Sequence, residues 1–130
     1  MAELTIDIVT PTALVFTGKA SAIRVPGWEG EFEVLEGHDT LLSLLRGGIT
    51  TVVTASGEQR YITGRGFVEA GPDRVTLLAD SCEPASEADK STAAADIEAG
   101  EKVKVDTFAG SSEWDAAEER AELARARMEA

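Results

Sequence analysis

The apolar rhythm of this chain changes once, near Pro84, and that change limits the fold more than any other feature of the 130 residues. Before it, Leu4, Ile6 and Ile8 alternate with Thr5 and Asp7, the period of two that turns one strand face inward. Thr10-Pro11 interrupts the pattern, and Leu14-Val15-Phe16 resumes it before Gly18. Ile23 and Val25 flank Arg24, a loop follows at Pro26-Gly27-Trp28-Glu29-Gly30, and Phe32 and Val34 flank Glu33. That strand stops at Gly37-His38 and enters a leucine-rich segment. Residues 49–55 are rich in Thr and Val, and Ser56-Gly57 turns them back into residues 60–63. Residues 67–70 then meet residues 75–79 across Gly71-Pro72-Asp73. Short strands with turn signals at this spacing predict an antiparallel all-β sandwich or barrel over residues 1–84.

Residues 85–130 are dominated by Ala, Glu, Asp, Lys and Arg and read as two helical segments divided by Phe108-Ala109-Gly110. In the second, Ser112 with Asp115 forms a capping box. Glu118 and Glu119 lie early, while Arg120, Arg125 and Arg127 lie from the middle to the end, which suits the helix dipole. Trp114, Ala117, Ala121, Ala124 and Met128 recur at spacings of three and four, predicting a narrow seam for a partner helix. In the first segment, Ser86-x-x-Asp89 offers a cap and Ala93, Ala94, Ala95 and Ile97 a small apolar face. Gly100 costs that helix about 1 kcal/mol relative to alanine. An alanine seam buries little area, at about 0.8 kcal/mol per methylene, so the appendage is expected to be marginally stable and able to move.

The formal charge of −12 argues against nucleic acid, whose phosphates require basic patches, and against adhesion to anionic lipid. The single cysteine, Cys82, rules out an internal disulfide framework. No secretory signal is visible at the N-terminus, and no apolar run of about eighteen residues exists, so contact with a membrane is expected to be peripheral.

Catalytic readings fare poorly. His38-Asp39 with Ser43 suggests base, orienter and nucleophile, but sequence neighbours on a strand face opposite ways and no Gly-x-Ser-x-Gly elbow is present. Glu29, Glu31, Glu33 and Glu36 lack the ligand offsets of a calcium loop and read as a solvated face. Gly64-x-Gly66 lacks the third glycine and the helix of a dinucleotide motif and reads as a turn or bulge. Cys82 reads as a small core residue. No catalytic, cofactor or metal residue is expected. Two other readings stay open: a small hydrolase, and a free-standing β-sandwich ligand-binding module with a helical dimerisation tail, for which Trp28 is the aromatic platform.

In order and spacing, residues 4–80 resemble the epsilon subunit of bacterial F-type ATP synthase. The resemblance is carried by Ile8-Val9-Thr10-Pro11, Val15-Phe16-x-Gly18-x-Ala20, Pro26-Gly27-x-x-Gly30-Glu31, Leu35-x-Gly37-His38 and Leu41-Leu42. It continues through Gly47-Gly48-Ile49, Gly66-Phe67-Val68-Glu69 and Val75-Thr76-Leu77-Leu78-Ala79. Glu36, Thr40, Arg65 and Trp28 depart from the family pattern. The resemblance implies a β-sandwich of two five-stranded sheets over residues 1–84 and a regulatory helical hairpin over residues 85–130. It implies a non-catalytic rotor part at the cytoplasmic face of the bacterial membrane, coupling proton flow to ATP synthesis. The gamma subunit and the c-subunit ring are the implied partners, met through Glu31, His38 and Leu42. The hairpin is implied to restrain ATP hydrolysis by transient contact with the alpha/beta catalytic head, to which Arg120, Arg125 and Arg127 could reach. Some relatives bind ATP through an Ile/Leu-Asp-x-x-Arg-Ala motif. Here that run is Ala88-Asp89-Lys90-Ser91-Thr92-Ala93; without the arginine a phosphate partner is missing, and no nucleotide site is expected.

Overall fold

The computed structural model describes residues 3–88 and 90–130. Ten strands come first: β1 (Leu4–Thr10), β2 (Ala13–Ala20), β3 (Ala22–Gly27), β4 (Gly30–Leu35), β5 (Leu41–Leu45), β6 (Gly48–Thr54), β7 (Gly57–Thr63), β8 (Gly66–Ala70), β9 (Arg74–Ala79) and β10 (Cys82–Pro84). A 3-10 turn at Ala85–Glu87 leads toward α1 (Ala93–Asp106) and α2 (Ser112–Glu129). The alternation decides which face is buried. Leu4, Ile6 and Ile8 are fully buried, as are Ile23, Val25, Val34, Val68, Val75 and Leu77, and together they form one core.

The ladders follow the path β10-β7-β6-β3-β5-β8-β9-β1-β2, with β4 paired to β3. Hydrogen bonding therefore runs through all ten strands as one sheet. A single register pair, Gly27 with Leu45, carries the path from β3 to β5. The expectation of a wholly antiparallel domain is wrong at one place: β1 and β9 run parallel, Ile6 opposite Val75 and Ile8 opposite Leu77. Alternating burial carries no information about strand direction, so the pattern in residues 4–8 could not reveal it. The resemblance implies ten strands, but the alternation alone left two of them unplaced. The leucine-rich segment is β5, and the three-residue β10 pairs with the edge of β7, where Pro84 closes the strand without needing a donor.

The helical boundaries also shift. The cap of α2 is Ser111, not Ser112; its hydroxyl accepts from the Trp114 N–H at 3.2 Å, and Gly110 takes the positive φ of 88° that precedes it. Ser86 lies in the 3-10 turn and caps nothing, Asp89 lies outside the described residues, and α1 starts at Ala93 without a side-chain cap. Met128 is 53% exposed and leaves the seam, while Ala126 is buried on the opposite side of α2, the side that carries Glu122.

Gly100, read from sequence as a weakness, is a close-approach position. A Cβ there would stand 3.1 Å from the Ala117 carbonyl oxygen and 3.3 Å from the Ala121 Cβ. The two helices pack this tightly because one contributes no side chain and the other contributes methyls. Gly100→Leu is therefore expected to wedge the hairpin apart at about 1–3 kcal/mol. Amide exchange within α1 should quicken while the β-strand amides keep their protection.

Candidate functional site

Three features on the β domain and hairpin could do something beyond holding the fold. The first is an exposed apolar stripe on the outer face of the β5-β8-β9-β1-β2 half. Its register is continuous: Leu44 opposite Phe67, Phe67 opposite Leu78, Leu78 opposite Val9, Val9 opposite Leu14. Leu44 is 65% exposed, Leu14 59%, and Phe67 and Leu78 more than a third. Leu42, 69% exposed, adds to it and lines a shallow cleft of about 470 Å³ with Trp28, Phe32 and Leu41. The neighbouring row is polar, Glu69 opposite Thr76 and Thr76 opposite Asp7. A contiguous apolar stripe with a polar border is what a protein partner covers.

Of the residues singled out from sequence, Leu42 belongs to this stripe. Glu31 is exposed near the tip of the β3–β4 hairpin, opposite Pro26. His38 follows the far end of β4, after Gly37 with its φ of 83°. About 13 Å of strand separates Glu31 from Leu35, so the three do not converge on one point but spread along an edge. His38 Nδ1–H donates to the Asp39 carbonyl oxygen at 2.6 Å, because a carbonyl can only accept. The Ser43 hydroxyl donates to the Leu44 carbonyl at 3.3 Å. Histidine, carboxylate and hydroxyl are thus not assembled into a relay. Burial, with Glu83 nearby, pushes the Cys82 thiol up to about 11, away from thiolate chemistry.

The stripe residues Leu44, Phe67 and Leu78 were missed by sequence reasoning. A signal existed: Leu41-Leu42-Ser43-Leu44-Leu45 places leucines on both faces of one strand, which a half-buried strand does not need.

The second feature is the charge pattern of the hairpin. Lys104 donates to Glu118 at 2.9 Å and lies 5.1 Å from the Trp114 ring centre; the bond to Glu118, against the opposing effect of burial, holds its ammonium above the usual range. Arg120 pairs with Asp96 at 2.7 Å, Arg125 with Glu118 at 3.2 Å, and Arg127 with Glu83 of β10 at 2.9 Å. All three arginines expected to reach outward are engaged within the chain here. Such partly exposed pairs are worth about 0–1 kcal/mol each, little enough to exchange for an external carboxylate.

The third feature joins α2 to the sandwich. Glu122 is buried, and its carboxylate faces Arg65, Arg46 and the Gly47 N–H. Bonding to Glu122, opposed by burial, raises the affinity of the Arg65 guanidinium for its proton. Trp28 is half-exposed, with both guanidinium groups over its ring at 5.2 and 5.7 Å, so the residue read as an open aromatic platform is already occupied.

A family model described as the β-sandwich domain of the ATP synthase delta/epsilon chain matches residues 3–85. The ATP synthase epsilon chain of Bradyrhizobium sp. (strain ORS 278) is 37% identical over 120 residues, covering 92% of this chain and 87% of that one. The ATP synthase epsilon chain of Myxococcus xanthus is 42% identical over 84 residues, and the match spans 65% of this chain and 62% of its own. Among solved structures, a chain of the Euglena gracilis mitochondrial ATP synthase OSCP/F1/c-ring assembly superposes with a TM-score of 0.83 at 20% identity, covering 99% of this chain and 81% of that one. A chain of the Tetrahymena thermophila ATP synthase central stalk and c-ring gives 0.68 at 17% identity, covering 97% and 94%. At those identities the structures speak for the fold.

Proposed function

The chain belongs to the ATP synthase delta/epsilon chain family, and on that premise we infer that it is the epsilon subunit of the central stalk of an F-type ATP synthase. It is a non-catalytic part that couples the rotor to the catalytic core. The observation that carries the physical side of this reading is the apolar stripe through Leu42, Leu44, Phe67 and Leu78, a face built for a permanent protein partner.

The finer assignments extend that reading. The gamma subunit covers the stripe, and the edge bearing Glu31, His38 and Leu42 faces gamma and the c ring, where charged and polar groups set register. Residues 1–84 act as the rotor-binding unit and residues 85–130 as the regulatory one. The sheet path works as two five-stranded halves, β10-β7-β6-β3-β4 and β5-β8-β9-β1-β2, joined only at Gly27 and Leu45; this division is supported by the single pair between them. The coupled flow is of protons, and the chain sits peripherally at the cytoplasmic face of the bacterial membrane through the complex. Released from the sandwich, the hairpin turns Arg120, Arg125 and Arg127 toward acidic groups of the catalytic head and restrains ATP hydrolysis.

Co-purification tests the function itself: the chain should be recovered in one-to-one ratio with gamma from host membranes, and its absence from that complex overturns the reading. Leu42→Asp, Glu31→Lys and His38→Glu test the edge. All three side chains lie at least partly outside the core, so each isolated variant should fold. Leu42→Asp should weaken association with gamma and the c ring at least about tenfold, as truncating an interface anchor does; unchanged affinity in reconstituted complexes would remove this edge from the interface.

A further inference from the structure

Among the described residues, the hydrogen bonds that join the hairpin to the sandwich converge mainly on one side chain. Glu122 lies past the middle of α2, and its side chain is only 2% exposed. Its Oε1 accepts from the Gly47 N–H at 2.7 Å and from Arg65 Nε at 3.1 Å. Its Oε2 accepts from Arg65 Nη2 at 3.1 Å and from Arg46 Nη2 at 3.4 Å. The receptor belongs wholly to the sandwich. Gly47 admits the carboxylate because it has no side chain: a Cβ there would stand 3.0 Å from the Glu122 Cβ and 3.1 Å from Oε1. Trp28 props both guanidinium groups in place.

The remaining contacts are light by comparison. Beside Glu122 the hairpin brings Leu123, whose Cδ2 would stand 3.6 Å from a Cβ at Gly47, and Arg127, whose pair with Glu83 is about a third exposed. A carboxylate this buried is tolerated only while its donors are present, and breaking such a pair is strongly unfavourable. Partial opening strands the charge in a half-dry pocket, so intermediate positions are disfavoured and the hairpin is either seated or free.

We propose that Glu122 is the latch of the hairpin, and that the receptor formed by Gly47, Arg46 and Arg65 sets the balance between its docked and released states. The consequence for regulation rests on the function inferred above; the latch itself is a property of the isolated chain. It also gives Arg65 and Trp28, two departures from the family pattern, one shared purpose, which is to hold the hairpin through its carboxylate.

Amide hydrogen exchange on the full-length isolated chain tests this without any partner. Glu122→Gln keeps the shape and removes the charge; it should quicken exchange across α2 at least about tenfold while β1–β9 keep their protection. Arg65→Gln should act at least as strongly, because it leaves the carboxylate buried without its fork. In the double variant the two effects should overlap rather than multiply, since each acts through the same contact. A rise in α2 below tenfold for Glu122→Gln, a rise shared by the strand amides, or effects that multiply in the double variant each overturn the latch. Failure of the gamma association test leaves this readout untouched, so the two readings fall separately.

Discussion

Gly66→Ala should be the most damaging single-atom-scale change in this chain, lowering stability by about 3 kcal/mol or more. A Cβ at Gly66 would lie 1.8 Å from the Leu78 carbonyl oxygen, 2.8 Å from its carbonyl carbon and 2.9 Å from the Ala79 Cα. All three atoms are backbone of β9, so no rotamer can yield. Gly66 pairs with Ala79 on one side and Leu45 on the other, so separating the backbones breaks the sheet path on both sides of β8. A domain of this kind holds about 5–15 kcal/mol in all, and urea denaturation of the full chain should show a clearly lower midpoint. Gly71→Ala is the control. Its nearest neighbour beyond the adjoining residues is the Arg74 carbonyl oxygen at 3.9 Å, and it should move the midpoint little. Equal effects from the two variants would mean that the close approach at Gly66 does not limit packing.

Deleting residues 85–130 should raise ATP hydrolysis by the assembled complex while leaving proton coupling in place. On the proposed function the hairpin is a two-state element, and small differential interactions with the catalytic head would suffice to shift such a population. If the restrained state holds nine complexes in ten, removal raises turnover about tenfold. The comparison with Glu122→Gln is informative because the signs oppose. Deletion removes the restraining element, whereas loss of the latch frees it and should deepen the restraint. Hydrolysis rates of reconstituted complexes carrying each variant decide the matter, and indifference to the deletion would reduce the hairpin to a passive tail.

The sequence exposed the burial of the sandwich well and its connectivity poorly. Leu4, Ile6 and Ile8, or Ile23 and Val25, announce an inward face because water exclusion leaves a period of two. Nothing in that period distinguishes the parallel partner of β1 from its antiparallel one. The stripe was half visible in the doubled leucines of β5, but Phe67 and Leu78 join it only through register between strands distant in sequence. Glu122 was hidden among the charges of an acidic helix. Its burial depends on a glycine and two arginines some sixty and seventy-five residues away, a convergence no local pattern encodes. Gly100 misled for a related reason: helix propensity counts the glycine's own freedom, not the neighbour that needs its space.

The parallel contact between β1 and β9 has a consequence for how the molecule is made. During synthesis, residues 4–10 leave the ribosome long before residues 74–79 exist, and β2 is the only ladder neighbour they can have until then. Closing so long a loop precedes any reward from the contact, which slows formation of the sheet relative to local structure. The nascent β1–β2 hairpin therefore spends that interval with one edge open, an invitation to pair with other chains. Asp7 lies on that edge, where Arg74 later pairs with it, and until β9 arrives its charge guards the edge against the wrong neighbour. The contacts between α1 and α2 are local, so the helical hairpin can close on itself soon after it is translated, ahead of its seating on the sandwich.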